Sequence, residues 1–329
     1  MLIKYLLNHY QIQVIKFLKY GAWNNKIKIN PQQNLELIAI GGYNNIILIL
    51  NIITFRVHQI IIEHNGTIYS LEQYKDTSNY LISSSSDESI NIYILNSKYK
   101  YELIQKIKKS EGKKGGEINK VIILSNKLLV SGDRRSITIW KSNNENNKEI
   151  KYEDFYEILL NRDTCHLLEV NPSIFIATQY ESNGHFQVYK NEGVSFPLIG
   201  ELNVESHGYS SNGLCKINDK LICSGANNYF FIICIAPLQV IQKFPIKNTI
   251  IYYIYATKED YLYCRGEDCI VQYKIIKDED NNFIEIIEMD KYPIKESYFE
   301  KERAILPFDD GRIFLVDNKK EKKLYQLLA

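Results

Sequence analysis

Arginine is the first scarcity in this 329-residue chain: only 7 of its 40 basic residues are arginine, and the rest are lysine. Acidic residues number 39, which leaves a net charge of +1. A nucleic-acid binder would show a basic excess or stripe, and none is present, so no nucleic-acid partner is expected. The six cysteines (Cys165, Cys215, Cys223, Cys234, Cys264, Cys269) include no C-x-x-C pair. Nor do the six histidines (His9, His58, His64, His166, His185, His207) stand at ligand spacing to a cysteine or to one another. A zinc site and a disulfide framework are therefore not expected, and the cysteines read as small apolar strand residues. Long apolar runs are missing too: no stretch reaches the length that crosses a bilayer. The opening MLIKYLLNHYQIQ lacks the h-region and small-residue cleavage site of a signal peptide. These absences point to a reducing compartment, cytoplasmic first and nuclear as the alternative, with no membrane insertion. Asn65-Gly66-Thr67 then reads as an Asn-Gly turn rather than a glycosylation site.

What is abundant is strand-forming sequence. Residues 63–95 read EHNGTIYSLEQYKDTSNYLISSSSDESINIYIL. His64 sits in a turn, Ile68 and Leu71 mark a first strand, and Tyr80, Leu81 and Ile82 begin a second that runs into the polar cluster 83–89. Ile90, Ile92 and Ile94 then alternate with Asn91, Tyr93 and Leu95. Short β-rich runs bounded by Ser, Asp, Gly and Asn clusters are the signature of strands and hairpins. The succession of His64, Ser83, Asp87 and Ile90-Asn91-Ile92-Tyr93 resembles the WD40 repeat, with Tyr93 where that family usually has tryptophan.

The same grammar recurs. With Tyr93 closing one strand, equivalent anchors stand at Leu50, Trp140, Tyr189, Ile233, Tyr273 and Val316, successive anchors lying 40–49 residues apart. A WD40-type blade repeats every 40–45 residues or so, roughly this spacing. Each anchor follows an apolar strand and a Gly/Ser/Asp/Asn turn; the leading strands are residues 37–40, 80–83, 127–130, 174–178, 220–223, 261–264 and 304–308. The expected fold is an all-β propeller of seven four-stranded blades, with six or eight as the alternatives and residues 1–329 as one domain. Radial packing would bury the faces of sheets too small to stand alone and leave only short edges. The resemblance also implies that strands from the two termini pair to close the ring. The candidates are residues 1–20, as an N-terminal closing strand or short extension, and 324–328 as a C-terminal outer strand; a short helix stays open for the first ten residues. The match is uneven. The third unit keeps Ser131, Asp133 and Trp140, the fifth His207-Gly208 and Ser224-Gly225, and the seventh Asp310-Gly311; the first, fourth and sixth rest on spacing and strand pattern.

His64, Ser83 and Asp87 are the residue types of a hydrolytic triad, but a triad needs an exposed nucleophile beside an oxyanion hole. The resemblance implies a buried structural hydrogen-bond network instead, joining His64, Ser83, Asp87 and Tyr93, with Trp140 as the aromatic of the third unit. Every buried polar member of such a network must find a partner. Residues 111–116 (EGKKGG) carry glycines and lysines without the spacing of a phosphate loop, and read as a connection between blades. Asp309-Asp310 and Glu267-Asp268 fit tight turns better than acid–base chemistry. No catalytic residue, metal or cofactor is expected.

One distribution points to function. Arg134, Arg135, Arg162, Arg265 and Arg312 all fall in or beside turns between second and third strands, or loops between blades. Both loop types emerge on one face of a propeller. In a chain that otherwise relies on lysine, arginines gathered there suit planar, bidentate contacts to carboxylate or phosphate. Neighbouring Glu88, Glu181, Glu267, Asp268, Asp309 and Asp310 can neutralise them. Tyr43, Tyr180 and Tyr229 belong to the same turns and fit either an interface core or packing between blades. The expected function is a non-catalytic WD40-type scaffold or adaptor that holds an acidic or phosphorylated protein or peptide on this face. Nothing indicates a homo-oligomer. Two alternatives come from other classes: a constitutive subunit of a large cytoskeletal or trafficking assembly, and, less favoured, a propeller enzyme with a site at the channel mouth.

Overall fold

A computed structural model describes residues 23–28, 36–42, 45–51, 56–73, 79–108, 116–143, 150–180, 184–204, 213–250, 253–257, 260–265, 269–278, 283–293, 305–307, 313–316 and 324–327. No helix occurs among the described residues. The first sheet pairs β1 (Trp23–Lys28), β2 (Glu36–Gly41), β3 (Ile47–Asn51) and β4 (Arg56–Ile61) in that order. The second holds β5 (Ile68–Gln73), β6 (Tyr80–Ser85), β7 (Ser89–Leu95) and β8 (Tyr101–Lys108). The third holds β9 (Lys120–Ile123), β10 (Leu129–Gly132), β11 (Ser136–Ser142) and β12 (Tyr152–Leu159). β13 (Thr164–Asn171), β14 (Ile174–Gln179), β15 (Gly184–Lys190) and β16 (Leu198–Val204) follow as the fourth. Next come a sheet of β17 (Gly213–Lys216), β18 (Leu221–Ile235) and β19 (Leu238–Ile250), and one of β20 (Tyr253–Ala256), β21 (Tyr261–Arg265), β22 (Cys269–Lys277) and β23 (Phe283–Pro293). β24 (Ile305–Pro307), β25 (Ile313–Val316) and β26 (Leu324–Leu327) form the last. Each is an antiparallel meander of consecutive strands, as one expects where only short turns join them.

Two expectations need correction. Among the described residues the sheets are not uniformly four-stranded: five have four strands and two have three. In the sheet of β17–β19 the reason is geometric. β18 has 15 residues, about 50 Å of straight strand, yet the Ile235 N–H donates to the Lys220 carbonyl at 2.9 Å. β18 is therefore doubled back, its first half pairing with β17 and its second with β19. The second correction concerns closure. No sheet among the described residues shares hydrogen-bonded strands from the two ends of the chain. Among the described residues β4 pairs with β3 and β26 with β25, so each end sheet takes its outer strand from its own segment. The first and last sheets meet instead through β1 and β24. The candidate closing strand in residues 1–20 lies outside the described residues.

The first strands of successive sheets touch in turn: β1 and β5, β5 and β9, β9 and β13, β13 and β17, β17 and β20. Each of the first five sheets thus has a neighbour on both faces, and a period of two residues decides which side chain meets which neighbour. In β7, Ile90 and Ile92 pack with Val121, Leu129 and Trp140 of the third sheet. Tyr93, between Ile92 and Ile94, turns the other way to Leu37, Ile47 and Ile49 of the first. β18 repeats the device: Phe230 and Ile232 join Ile254, Leu262 and Val271, while Phe231 and Ile233 join Ile176, Phe186 and Val188. This is why the strands read as near-continuous apolar runs; burying each such side chain contributes roughly 1.5–3 kcal/mol.

Neighbouring sheets are also joined by a repeated backbone bond. Where one chain segment enters the next sheet, the N–H of Ile68, Ile118 or Thr164 donates to the carbonyl of Gly42, Ser85 or Asp133, at 3.0, 3.2 and 2.9 Å. Close approach at this joint needs a small residue. A Cβ on Gly132 would stand 2.4 Å from Thr164 Cγ2, and one on Gly41 2.6 Å from Ile68 Cγ2. Thr164 is fully buried and stiff at its branched Cβ. Gly132→Ala is expected to destabilise the fold by about 1–3 kcal/mol through overpacking. Adding Thr164→Ala, which removes the offending methyl, recovers part of that loss; urea unfolding of the single and double variants measures both.

Candidate functional site

The second sheet is fastened at the turn between β6 and β7, where Glu88 takes a positive φ of 62°. Asp87 gathers donors from both strands of the neighbourhood. Its Oδ1 accepts the Ser89 N–H at 3.1 Å and the Ser89 hydroxyl at 2.5 Å, and its Oδ2 accepts the Asn65 N–H at 2.9 Å. His64 Nδ1 lies 3.1 Å from each carboxylate oxygen, and Lys106 Nζ lies 3.5 Å from Oδ2. Burial alone would raise the Asp87 pKa, but the hydrogen bonds from Ser89, Asn65 and His64 outweigh it and hold the carboxyl well below its usual range.

That ionised carboxylate sets the protons of the whole chain of contacts. It can only accept, so His64 Nδ1 carries the proton. His64 Nε2 then accepts from the Ser83 hydroxyl at 2.7 Å. Ser83 in turn meets the hydroxyl of Tyr93, which also accepts from Asn91 Nδ2 at 3.1 Å. Burial pushes Tyr93 up to about 12, so it remains a donor. Ser83 is fully buried, which leaves no accessible nucleophile for a triad. The third sheet has a shorter version: Asp133 accepts the N–H groups of Arg135 and Ser136 at 2.8 and 2.7 Å, and Trp140 Nε1 donates to Ser131 Oγ at 2.8 Å.

Four of the arginine and tyrosine candidates come together where the third and fourth sheets join. Arg134 and Arg135 occupy the turn before β11, Arg162 the loop before β13, and Tyr180 the position after β14. Two backbone bonds hold these loops side by side: Leu160 N–H to Arg135 O at 2.7 Å, and Tyr180 N–H to Asp163 O at 2.8 Å. Arg134, Arg135, Arg162 and Tyr180 are all exposed. Arg134 has a neutralising partner, but not one of the turn acids named from the sequence. Its Nη2 lies 3.2 Å from Glu117 Oε1, while Glu117 Oε2 accepts the Tyr69 hydroxyl at 2.9 Å. Burial raises the Asp163 pKa despite the opposing pull of Arg134 and Arg135.

The other candidates are placed differently. Arg265 is the last residue of β21. Tyr229 lies within β18 and is half-buried, with Lys243 Nζ 4.0 Å from its ring centroid, so it packs against its own sheet. Tyr43, Arg312 and the turn acids Glu181, Glu267, Asp268, Asp309 and Asp310 lie outside the described residues.

Beside the arginine loops is a cleft of about 520 Å³ between β12 and the strands β14–β16. Its polar floor was not singled out from the sequence. Gln187 Oε1 accepts from Gln179 Nε2 at 2.6 Å and from the Tyr189 hydroxyl at 2.8 Å, and Gln187 Nε2 donates to Glu201 Oε1 at 2.8 Å. A signal existed: Gln187 stands two residues before Tyr189, as Asn91 stands two before Tyr93.

The buried histidine has a pH consequence. Burial is the main cause that lowers the His64 pKa below its ordinary 6.5, against the opposing attraction of Asp87. The unfolded chain therefore takes up a proton as pH falls through about 6.5 while the folded chain resists it, so this contribution is present above that value and lost below it. Asp87 acts in the same direction at lower pH, because its folded pKa is depressed. The urea midpoint is expected to drop between about pH 7.5 and about pH 5, and to drop less in His64→Gln. Equal drops in the two proteins would assign the sensitivity elsewhere.

No protein-family profile matches this chain, and no curated protein matches it in sequence. In three dimensions it is similar to a chain in the crystal structure of a mitotic checkpoint complex, with a TM-score of 0.68 at 9% identity, over 95% of this chain and 88% of that one. At such identity the likeness concerns the fold. Together with the seven antiparallel sheets, five of them packed between two neighbours, it makes the chain a β-propeller.

Proposed function

We propose that this protein is a non-catalytic scaffold of WD40 type, a ring of seven blades that holds protein partners on the face of its turns and inter-blade loops. The observation that carries the reading is the convergence of Arg134, Arg135, Arg162 and Tyr180 at one junction of sheets, on loops tied together by backbone hydrogen bonds. Arg135 and Arg162 supply planar donors, Tyr180 supplies a half-exposed aromatic surface, and Arg134 exchanges Glu117 for a stronger acid when one arrives. The partner is a protein or peptide segment bearing acidic or phosphorylated side chains. The sequence reading adds Arg265, Arg312 and Tyr43 to the same face. The structural likeness to part of a multi-protein assembly supports a role in protein interaction, and the reading places the protein in the cytoplasm or nucleus.

The test is an array of phosphorylated, acidic and neutral peptides probed with the purified chain. Wild type retains the phosphorylated or acidic members over the neutral ones. Arg135→Glu with Arg162→Glu weakens that retention at least about tenfold, equivalent to about 1.4 kcal/mol, without shifting the thermal midpoint. Retention that is unchanged by the double reversal, or no preference in the wild type, overturns the assignment of this face.

A further inference from the structure

The cleft between the third and fourth sheets combines three features. Its walls carry apolar side chains left in water: Leu159 is 80% exposed and Leu198 46%, and both line the opening. A ring of scattered surface leucines would need no explanation, but these two face one cleft. Its floor is a buried polar chain with only one way to arrange its protons. Gln187 Oε1 accepts from both Gln179 and Tyr189, so its amide N–H groups must point to Glu201. Burial, reinforced by the Glu201 charge, keeps the Tyr189 hydroxyl protonated by raising its pKa. The carboxylate of Glu201 is thereby held through Oε1, which also lies 3.5 Å from His185 Nε2, while its half-exposed side chain leaves Oε2 with no partner among the described residues. The third feature is an open strand edge: among the described residues β12 ends its sheet and pairs with β11 alone.

We propose that this cleft docks an extended basic–apolar segment of a partner protein, with a lysine or arginine on Glu201 and an adjacent apolar side chain between Leu159 and Leu198. Charge selects the occupant. Glu157 and Glu201 both line the cleft, and Arg162 is its one lysine or arginine, standing at the loop end. A carboxylate fixed by a buried amide beside apolar walls is a pre-organised acceptor for a cation, and it would repel an acidic segment. The edge of β12 adds main-chain hydrogen bonds to an extended chain, the pairing mode by which free sheet edges take up peptides. This site adjoins the acid-binding face proposed above, sharing Arg162 with it, and selects the opposite charge, so one platform holds two kinds of segment.

The experiment uses a degenerate octapeptide library on resin, with the 329-residue chain as bait and sequencing of the retained peptides. Wild type enriches Lys or Arg next to Leu, Ile or Phe. Glu201→Gln keeps the acceptor for Gln187 but removes the charge, and is expected to cut the basic enrichment at least about tenfold. Leu159→Ser, on an exposed side chain, reduces the apolar preference and spares the basic one. Arg134→Glu leaves both unchanged, which separates this site from the arginine face. No basic–apolar enrichment in the wild type, enrichment undiminished in Glu201→Gln, or its loss in Arg134→Glu overturns the proposal.

Discussion

The joint between neighbouring sheets is the constraint on which the rest of the molecule depends. A four-stranded sheet of five- to eight-residue strands cannot bury its own faces, so each must find the next at the right angle and height. The amide of the incoming strand, at Ile68, Ile118 and Thr164, supplies that registration by bonding to a carbonyl of the preceding sheet. Gly41 and Gly132 let the backbones come close enough for the bond to form, because a methyl at either position would overlap a branched side chain. With the heights set, the alternating residues of β7 or β18 fall onto opposite neighbours and both faces become core.

Polar chemistry is used at the same joints, and it is structural before it is functional. In the second sheet the Asp87 carboxylate ties the loop carrying His64 and Asn65 to the turn before β7, and a line of hydroxyls carries the arrangement down to Tyr93. The third sheet reaches the same end through Asp133, Ser131 and Trp140. The fourth uses Gln179, Gln187 and Tyr189, and there the chain emerges at the surface on Glu201. A network that elsewhere ends in a buried turn ends here in a cleft. That difference turns a fastening device into a candidate site.

The arginine loops and the cleft share the junction of the third and fourth sheets. Arg162 belongs to both, at the end of the loop that follows β12. Opposite charge preferences on adjoining surfaces suit a platform that orients an extended partner, since each end of the segment is rejected by the wrong site. None of this requires the protein to change shape, because the loops are held by backbone bonds and the cleft floor by a complete hydrogen-bond chain.

Strand identity, the repeat of forty-odd residues and the His64–Ser83–Asp87–Tyr93 pattern were determined by the sequence, because they are local: alternation, turn residues and spacing act within one unit. The pairing of Arg134 with Glu117 could not be read in the same way, since only the register of β9 against β10 brings the segment before β9 beside the turn after β10. The folding back of β18 was legible, because a Gly/Asn turn separates its two apolar arms. Closure, by contrast, was not legible: among the described residues no sheet shares strands from both ends, since β4 pairs with β3 and β26 with β25. The cleft, above all, exists only in three dimensions, because Leu159 and Glu201 belong to different sheets and no period in the chain brings them together.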